Sequence, residues 1–125
     1  MRHFRKAGAL LAVALLLAAG ARGARADESF AKVVEETNRK MVKLYGAGGI
    51  RGLPSYGSGL MASPDGYILT VYSHILDTRD LRAHTSDGTR YHANVVAIEP
   101  ELDVALVKIG TEKEPYKTSY YFDLE

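Results

Sequence analysis

Two histidines lie close together in the sequence and raise the question of a metal site. His84 and His92 flank the dipeptide Asp87-Gly88, whose residues tolerate positive φ and favour a tight two-residue hairpin turn. Diagonal neighbours on a hairpin lie about 7–8 Å apart, which is within reach of a shared metal ion. A structural zinc site takes four protein ligands and a catalytic one about three, and no third ligand lies nearby. We therefore expect two structural histidines, no metal and no cofactor.

A glycine-rich stretch, residues 46–58, is a second candidate for chemistry because it contains five of the twelve glycines. It lacks the Lys-Ser/Thr ending and the strand-to-helix setting of a phosphate-binding loop. Ser58 lies within it between two glycines, but the wider Gly-x-Ser-x-Gly arrangement of a nucleophile elbow is missing. The composition therefore predicts a flexible loop and indicates neither a phosphate site nor an activated serine.

The first 26 residues have the composition of a secretory signal peptide. Basic residues precede an apolar run at 7–19, and Ala24-Arg25-Ala26 has the small-x-small form of a signal peptidase site. The apolar run is too short to cross about 30 Å of hydrocarbon at about 1.5 Å per residue. We expect cleavage after Ala26, export to the periplasm or secretion, and no stable membrane anchor.

The net charge and the cysteine content limit the kinds of function and fold that the chain can have. Five of the sixteen basic residues lie in the first 26 positions, so residues 27–125 carry 11 basic and 15 acidic residues, a net charge of −4. A mildly acidic domain without a run of Lys and Arg has no electrostatic footprint for nucleic acid. The chain has no cysteine, so its stability must come from a core without disulfides.

The hydrophobic pattern predicts one short helix followed by strands. Apolar residues recur at helical spacing from Asp27 to about Lys40, and a strand at Met41–Tyr45 follows, which together make a segment of residues 27–45. Further strands are predicted around two turns and at one continuous apolar run. These are Gly59–Ser63, Tyr67–Val71, Leu81–Ser86, Thr89–Val96 and Val104–Ile109. Six closely spaced strands predict an all-β barrel or sandwich.

Three motifs carry a resemblance to a known family. Gly57-Ser58-Gly59 leads into Ser63-Pro64-Asp65-Gly66-Tyr67-Ile68-Leu69-Thr70, and Ser86-Asp87-Gly88 and Asp103-Val104-Ala105-Leu106-Val107-Lys108-Ile109 follow in order. Their order and spacing resemble those of HtrA/Deg trypsin-like serine proteases. The resemblance implies that residues 57–109 form the first six-stranded barrel of a two-barrel fold, and that the tail, residues 110–125, opens the second half.

The same resemblance implies two site residues. The family has its general base histidine after the Ile-Leu-Thr strand and its orienting aspartate at the start of the Asp-x-Ala-Leu-x-Lys-Ile strand. Asp103 matches the aspartate position, although a strand-initiating surface carboxylate is the simpler interpretation without the flanking motif. His74 lies four residues after Thr70 rather than three, so Ser73 occupies the base position when no gap is allowed. Both assignments of the base remain open.

The implied function is proteolysis of polypeptide substrates in envelope protein quality control. The regulated members of the family assemble into homo-oligomers, and we expect the same of the full-length protein. None of the seven serines has the Gly-Asn/Asp-Ser-Gly-Gly surroundings of the family's nucleophile, so we expect this chain to be an amino-terminal portion that is inactive alone. The alternative is a non-catalytic trypsin-fold module for binding or scaffolding, with Ser73 at the base position.

Overall fold

The computed structural model describes residues 27–50 and 53–124. The predicted signal peptide, residues 1–26, lies outside the described residues. The chain divides into two units after Glu35. Residues 27–39 are helical, as the apolar spacing predicts.

The second unit contains a closed antiparallel barrel of six strands. The strands are β1 (Met41–Gly46), β2 (Ser55–Met61), β3 (Tyr67–Val71), β4 (Arg82–His84), β5 (Arg90–Glu99) and β6 (Val104–Ile109). They follow the order β1-β2-β3-β6-β5-β4 around the barrel, which confirms the predicted all-β barrel. Because β1 pairs with both β2 and β4, the barrel extends amino-terminally from the predicted 57–109 to Met41.

The core is formed by side chains that point inward at every second position of the strands. In β6, Ala105, Val107 and Ile109 are buried and alternate with partly exposed residues, as a two-residue period requires. Ile68 and Thr70 do the same in β3, and the Thr70 hydroxyl donates to the Ser58 carbonyl oxygen at 2.8 Å. The buried apolar residues are Val42, Leu44, Met61, Ile68, Ile75, Leu76, Leu81, Ala83, Ala93, Ala105, Val107 and Ile109.

The prediction of a glycine-rich loop at 46–58 is wrong at the carboxyl end of that range, because β2 begins at Ser55. Gly57 and Gly59 belong to this strand and face the barrel interior, opposite Leu44 and Val42. A Cβ at Gly59 would lie 2.4 Å from Cγ2 of Ile68, and one at Gly57 would lie 2.8 Å from Cδ1 of Ile75. These glycines therefore permit close packing inside a narrow barrel.

The turn between β4 and β5 also differs from the predicted two-residue type. The Thr85 carbonyl oxygen accepts from Gly88 N–H at 2.9 Å, and Gly88 has φ of 83° whereas Asp87 does not have positive φ. The mirror-image turn that Asp-Gly favours needs positive φ at both residues. Instead, the Asp87 carboxylate accepts from the Thr85 hydroxyl at 2.5 Å and from Thr89 N–H at 3.0 Å, which fixes a longer loop.

The tail packs along the β2–β3 hairpin. Thr118 N–H donates to the Pro64 carbonyl oxygen, and Phe122 N–H donates to that of Met61, both at 2.8 Å. The ring of Tyr116 meets the ring of Tyr91 edge to face, with centroids 5.1 Å apart. These contacts bury part of the aromatic surface that follows β6.

The close packing at Gly59 gives a test of the barrel. We expect Gly59→Ala to destabilise the fold by about 1–3 kcal/mol, because the added methyl group overpacks the interior against Ile68. Thermal unfolding measures this loss, at about 4–8 °C per kcal/mol for a domain of this size. Ser58→Ala, at the neighbouring exposed position of the same strand, is the control and should change stability by less than about 0.5 kcal/mol. Equal melting temperatures for the two variants would contradict this packing.

Candidate active site

Asp103 lies directly before β6 in an unusual backbone conformation. It follows a 3₁₀ turn at Pro100–Leu102, and its φ of 59° and ψ of 31° are left-handed. Among the described residues it is the one non-glycine position with positive φ. Its N–H donates to the Pro100 carbonyl oxygen at 3.2 Å. Aspartate is one of the few residue types that tolerate this conformation, and residues held in such conformations concentrate at functional sites.

His74 begins a second 3₁₀ turn, His74–Leu76, shortly after β3 ends. Ser73 precedes it in an extended conformation, with φ of −152°, and makes no side-chain capping hydrogen bond. Ile75 and Leu76 are 5% and 7% exposed, so the turn is fixed to the core by the two residues that follow the histidine. The imidazole itself lies on the exposed side of this turn.

The pairing of β3 with β6 brings the two segments together although 29 positions separate His74 from Asp103. Val71 pairs with Val104 at the end of this ladder. One residue further, Tyr72 N–H donates to the Asp103 carbonyl oxygen at 2.9 Å. The backbone of Asp103 is therefore hydrogen-bonded to Tyr72, which lies two residues before His74. Within the described chain, no hydrogen bond or ion pair joins the side chains of His74 and Asp103, and both residues are exposed.

The ring of His74 lies against the β1–β2 loop, a neighbour that the sequence pattern does not indicate. A Cβ at Gly48 would lie 3.1 Å from Nε2 and Cδ2 of His74 and 3.0 Å from Oγ of Ser55. Ala47 N–H donates to the Ile75 carbonyl oxygen at 2.9 Å, which ties the loop to the turn. The Nε2 edge of the imidazole and the Ser55 hydroxyl thus both approach Gly48.

The two histidines of the β4–β5 hairpin lie on neighbouring strands. His84 pairs in register with Arg90, and His92 pairs with Arg82. Partial burial and the nearby cations Arg90, Arg82 and Lys43 lower the pKa of His84 below its usual value. In the part of the chain that the structure describes, no group of three His, Cys, Asp or Glu side chains could hold a metal ion.

Comparison with solved structures places the barrel in a known class. A crystal structure of the serine endoprotease from Yersinia pestis matches with a TM-score of 0.55 and 26% sequence identity. The match covers 66% of this chain and 30% of that protein. The fold is therefore the barrel of a trypsin-like serine endoprotease.

Among the described residues no helix has the length and apolar character needed to cross a membrane.

The family model described as a trypsin-like peptidase domain matches residues 57–121, which are 65 of the 125 residues. The chain belongs to this family of trypsin-like peptidase domains. A probable periplasmic serine endoprotease, DegP-like, of Chlamydia pneumoniae is 38% identical over 60 residues, covering 48% of this chain and 12% of that protein. Serine protease HTRA2, mitochondrial, of Bos taurus is 39% identical over 64 residues, or 51% of this chain and 14% of that protein. These relatives confirm the HtrA/Deg resemblance, and the chain spans 12–14% of their length.

The contact between Gly48 and the His74 ring can be tested with two matched glycines. Gly48 and Gly88 have φ of 86° and 83°, but a Cβ at Gly88 would meet nothing within 4 Å. Both alanine variants should lose about 1–2 kcal/mol, the cost of a left-handed alanine. We expect only Gly48→Ala to shift the His74 ring resonances in NMR spectra as well, because its methyl group displaces the imidazole. Unchanged His74 resonances in Gly48→Ala would show that the ring does not lie on this loop.

Proposed function

We propose that His74 and Asp103 are the general base and the orienting carboxylate of an HtrA/Deg-type serine endopeptidase that cleaves polypeptides. The observation that carries this proposal is the hydrogen bond from Tyr72 N–H to the Asp103 carbonyl oxygen, at 2.9 Å. It brings the backbones of both segments to one edge of a trypsin-like barrel. Both residues are exposed there, so a substrate can reach them.

The chemistry requires these two residue types beside a serine. A serine hydroxyl is a weak nucleophile until a base removes its proton as the oxygen attacks the peptide carbonyl. In this proposal a ring nitrogen of His74 takes that proton and later gives it to the leaving amine. The Asp103 carboxylate accepts a hydrogen bond from the other ring nitrogen, which fixes the tautomer and stabilises the imidazolium. None of the seven serines in residues 1–125 has the family's nucleophile surroundings, so this proposal requires a serine from outside these residues.

A second function, a non-catalytic binding or scaffold module, is favoured by one observation. His74 lies four residues after Thr70, its ring faces Gly48 and Ser55, and no hydrogen bond connects it to Asp103. In this alternative Ser73 occupies the position of the base, and the fold is retained without hydrolysis.

Labelling the protein encoded by the complete gene with an active-site phosphonate separates the two functions. The endopeptidase should label at one serine beyond residue 125. His74→Gln and Asp103→Asn should each slow labelling by at least about 10⁴-fold, since loss of a triad member lowers the rate by about 10⁴- to 10⁶-fold. Asparagine also tolerates the left-handed conformation, so Asp103→Asn removes the charge and keeps the turn.

Ser73→Ala is the matched control, and it should label at a rate within about threefold of the unsubstituted protein. Circular dichroism of each variant checks that the fold is intact. Absence of labelling in the unsubstituted protein would refute the endopeptidase and support the binding module. Equal labelling rates for His74→Gln and the control would refute the assignment of His74 as the general base.

Export and assembly are further parts of the proposal. The name of the Chlamydia pneumoniae relative describes it as periplasmic, and Ala24-Arg25-Ala26 has the form of a signal peptidase site. We expect a mature amino terminus at Asp27, which mass spectrometry of exported material would detect. Exported protein that retains residues 4–17 would refute the cleavage. Assembly into a homo-oligomer stays a prediction from the family resemblance.

A further inference from the structure

A concentration of basic side chains forms on the outside of the barrel, where β1, β4 and β5 lie side by side. Lys43, His84 and Arg90 make one cross-strand row, because Lys43 pairs with His84 and His84 pairs with Arg90. Tyr45, Arg82 and His92 make a second row two residues along the strands. All six alternate with inward-facing neighbours, so they share the outer surface. We call these six residues the basic face.

Aromatic rings border the cations. The rings of Tyr45 and His84 have centroids 4.4 Å apart, and Tyr56 of β2 lies beside Tyr45 at 5.9 Å. Lys43 Nζ lies 5.7 Å from the centroid of the Tyr56 ring, and Tyr56 is 67% exposed. The surface therefore combines aromatic rings with Arg side chains, two residue types that are enriched at protein interfaces.

The charged residues of the basic face, Lys43, Arg82 and Arg90, are all cations. The pKa of His84 is lowered by burial and then by three cations, Arg90, Arg82 and Lys43. The carboxylate of Asp80 pairs with Arg82, at 3.0 and 2.9 Å from Nε and Nη2, and Arg82 in turn lowers the pKa of Asp80. Lys43 and Arg90 make no ion pair within the described residues. These two cations lie on the unit Glu36–Glu125, which carries 10 basic and 12 acidic residues, a net charge of −2.

We propose that the basic face binds an acidic stretch of an extended polypeptide. Neighbouring strands are about 4.8 Å apart, so Lys43 and Arg90, on either side of β4, are about 10 Å apart at their backbones. Carboxylates on one side of an extended peptide repeat at about 6.6–6.8 Å, a spacing that the flexible Lys and Arg side chains span. Tyr45 and Tyr56 offer rings for the peptide's apolar groups. The proposal does not depend on the roles of His74 and Asp103.

Charge favours a polypeptide over a nucleic acid as the occupant. A nucleic acid carries a phosphate charge about every 1.7 Å of duplex, and its affinity grows with the number of phosphates that are neutralised. Lys43 and Arg90, together with Arg82, which already pairs with Asp80, can neutralise only a few phosphates. The acidic remainder of residues 27–125 repels a long polyanion. A short peptide with a few carboxylates avoids that repulsion.

Fluorescence anisotropy of a labelled octaglutamate peptide, titrated with the protein at low ionic strength, tests the proposal. We expect saturable binding that weakens as salt is added, since exposed charges are screened. Lys43→Glu combined with Arg90→Glu should weaken binding at least about tenfold, a loss typical of reversing paired charges at an interface. Lys43→Gln with Arg90→Gln should give a smaller loss in the same direction.

The matched control is Lys113→Glu with Lys117→Glu, which makes the same change in net charge at exposed positions of the tail. It should alter the affinity by less than about threefold. Thermal unfolding of both pairs shows whether they fold. Equal affinities for the two reversed pairs would overturn the proposal, as would absence of octaglutamate binding. Tighter binding of a labelled twenty-nucleotide oligothymidine would overturn the assignment of a polypeptide occupant.

Discussion

The candidate site depends on the antiparallel pairing of β3 with β6. Five residue pairs hold these strands in register, from Tyr67 with Lys108 to Val71 with Val104. The hydrogen bond from Tyr72 N–H to the Asp103 carbonyl oxygen continues the ladder past the end of both strands. A shift of one residue would turn the inward side chains outward, so the buried alternation of β6 also fixes where Asp103 lies relative to His74.

Each residue of the candidate site is held by its own local structure. The turn that carries His74 is anchored by buried Ile75 and Leu76, and the β1–β2 loop packs on its other side. Asp103 is held by the 3₁₀ turn before it and by β6 after it. The imidazole and the carboxylate are exposed, whereas the backbone that carries them is fixed. This combination of a rigid barrel with exposed polar groups at its edge is usual for catalytic sites on loops.

Sequence patterns correctly predict the elements that neighbouring residues determine. They fail where contacts between residues far apart in the chain determine the structure. The bounds of β3 and β6 are predicted correctly, because apolar alternation and flanking turn residues define both. The start of β2 is missed, because Gly57 has the composition of a loop, and only its close contact with Ile75 shows why a strand needs glycine there. The left-handed Asp103 and the contact of His74 with Gly48 are likewise invisible before the strands are paired. Lys43, Arg82 and Arg90 form no run in the sequence, since strand order alone brings them together.

The most direct test of the central claim is a crystal structure of the complete protein after reaction with a phosphonate. We predict one ring nitrogen of His74 within about 2.6–3.2 Å of an Asp103 carboxylate oxygen, and the other facing the modified serine. A structure in which the His74 ring stays against Gly48, turned away from Asp103, while Ser73 faces the carboxylate would contradict it.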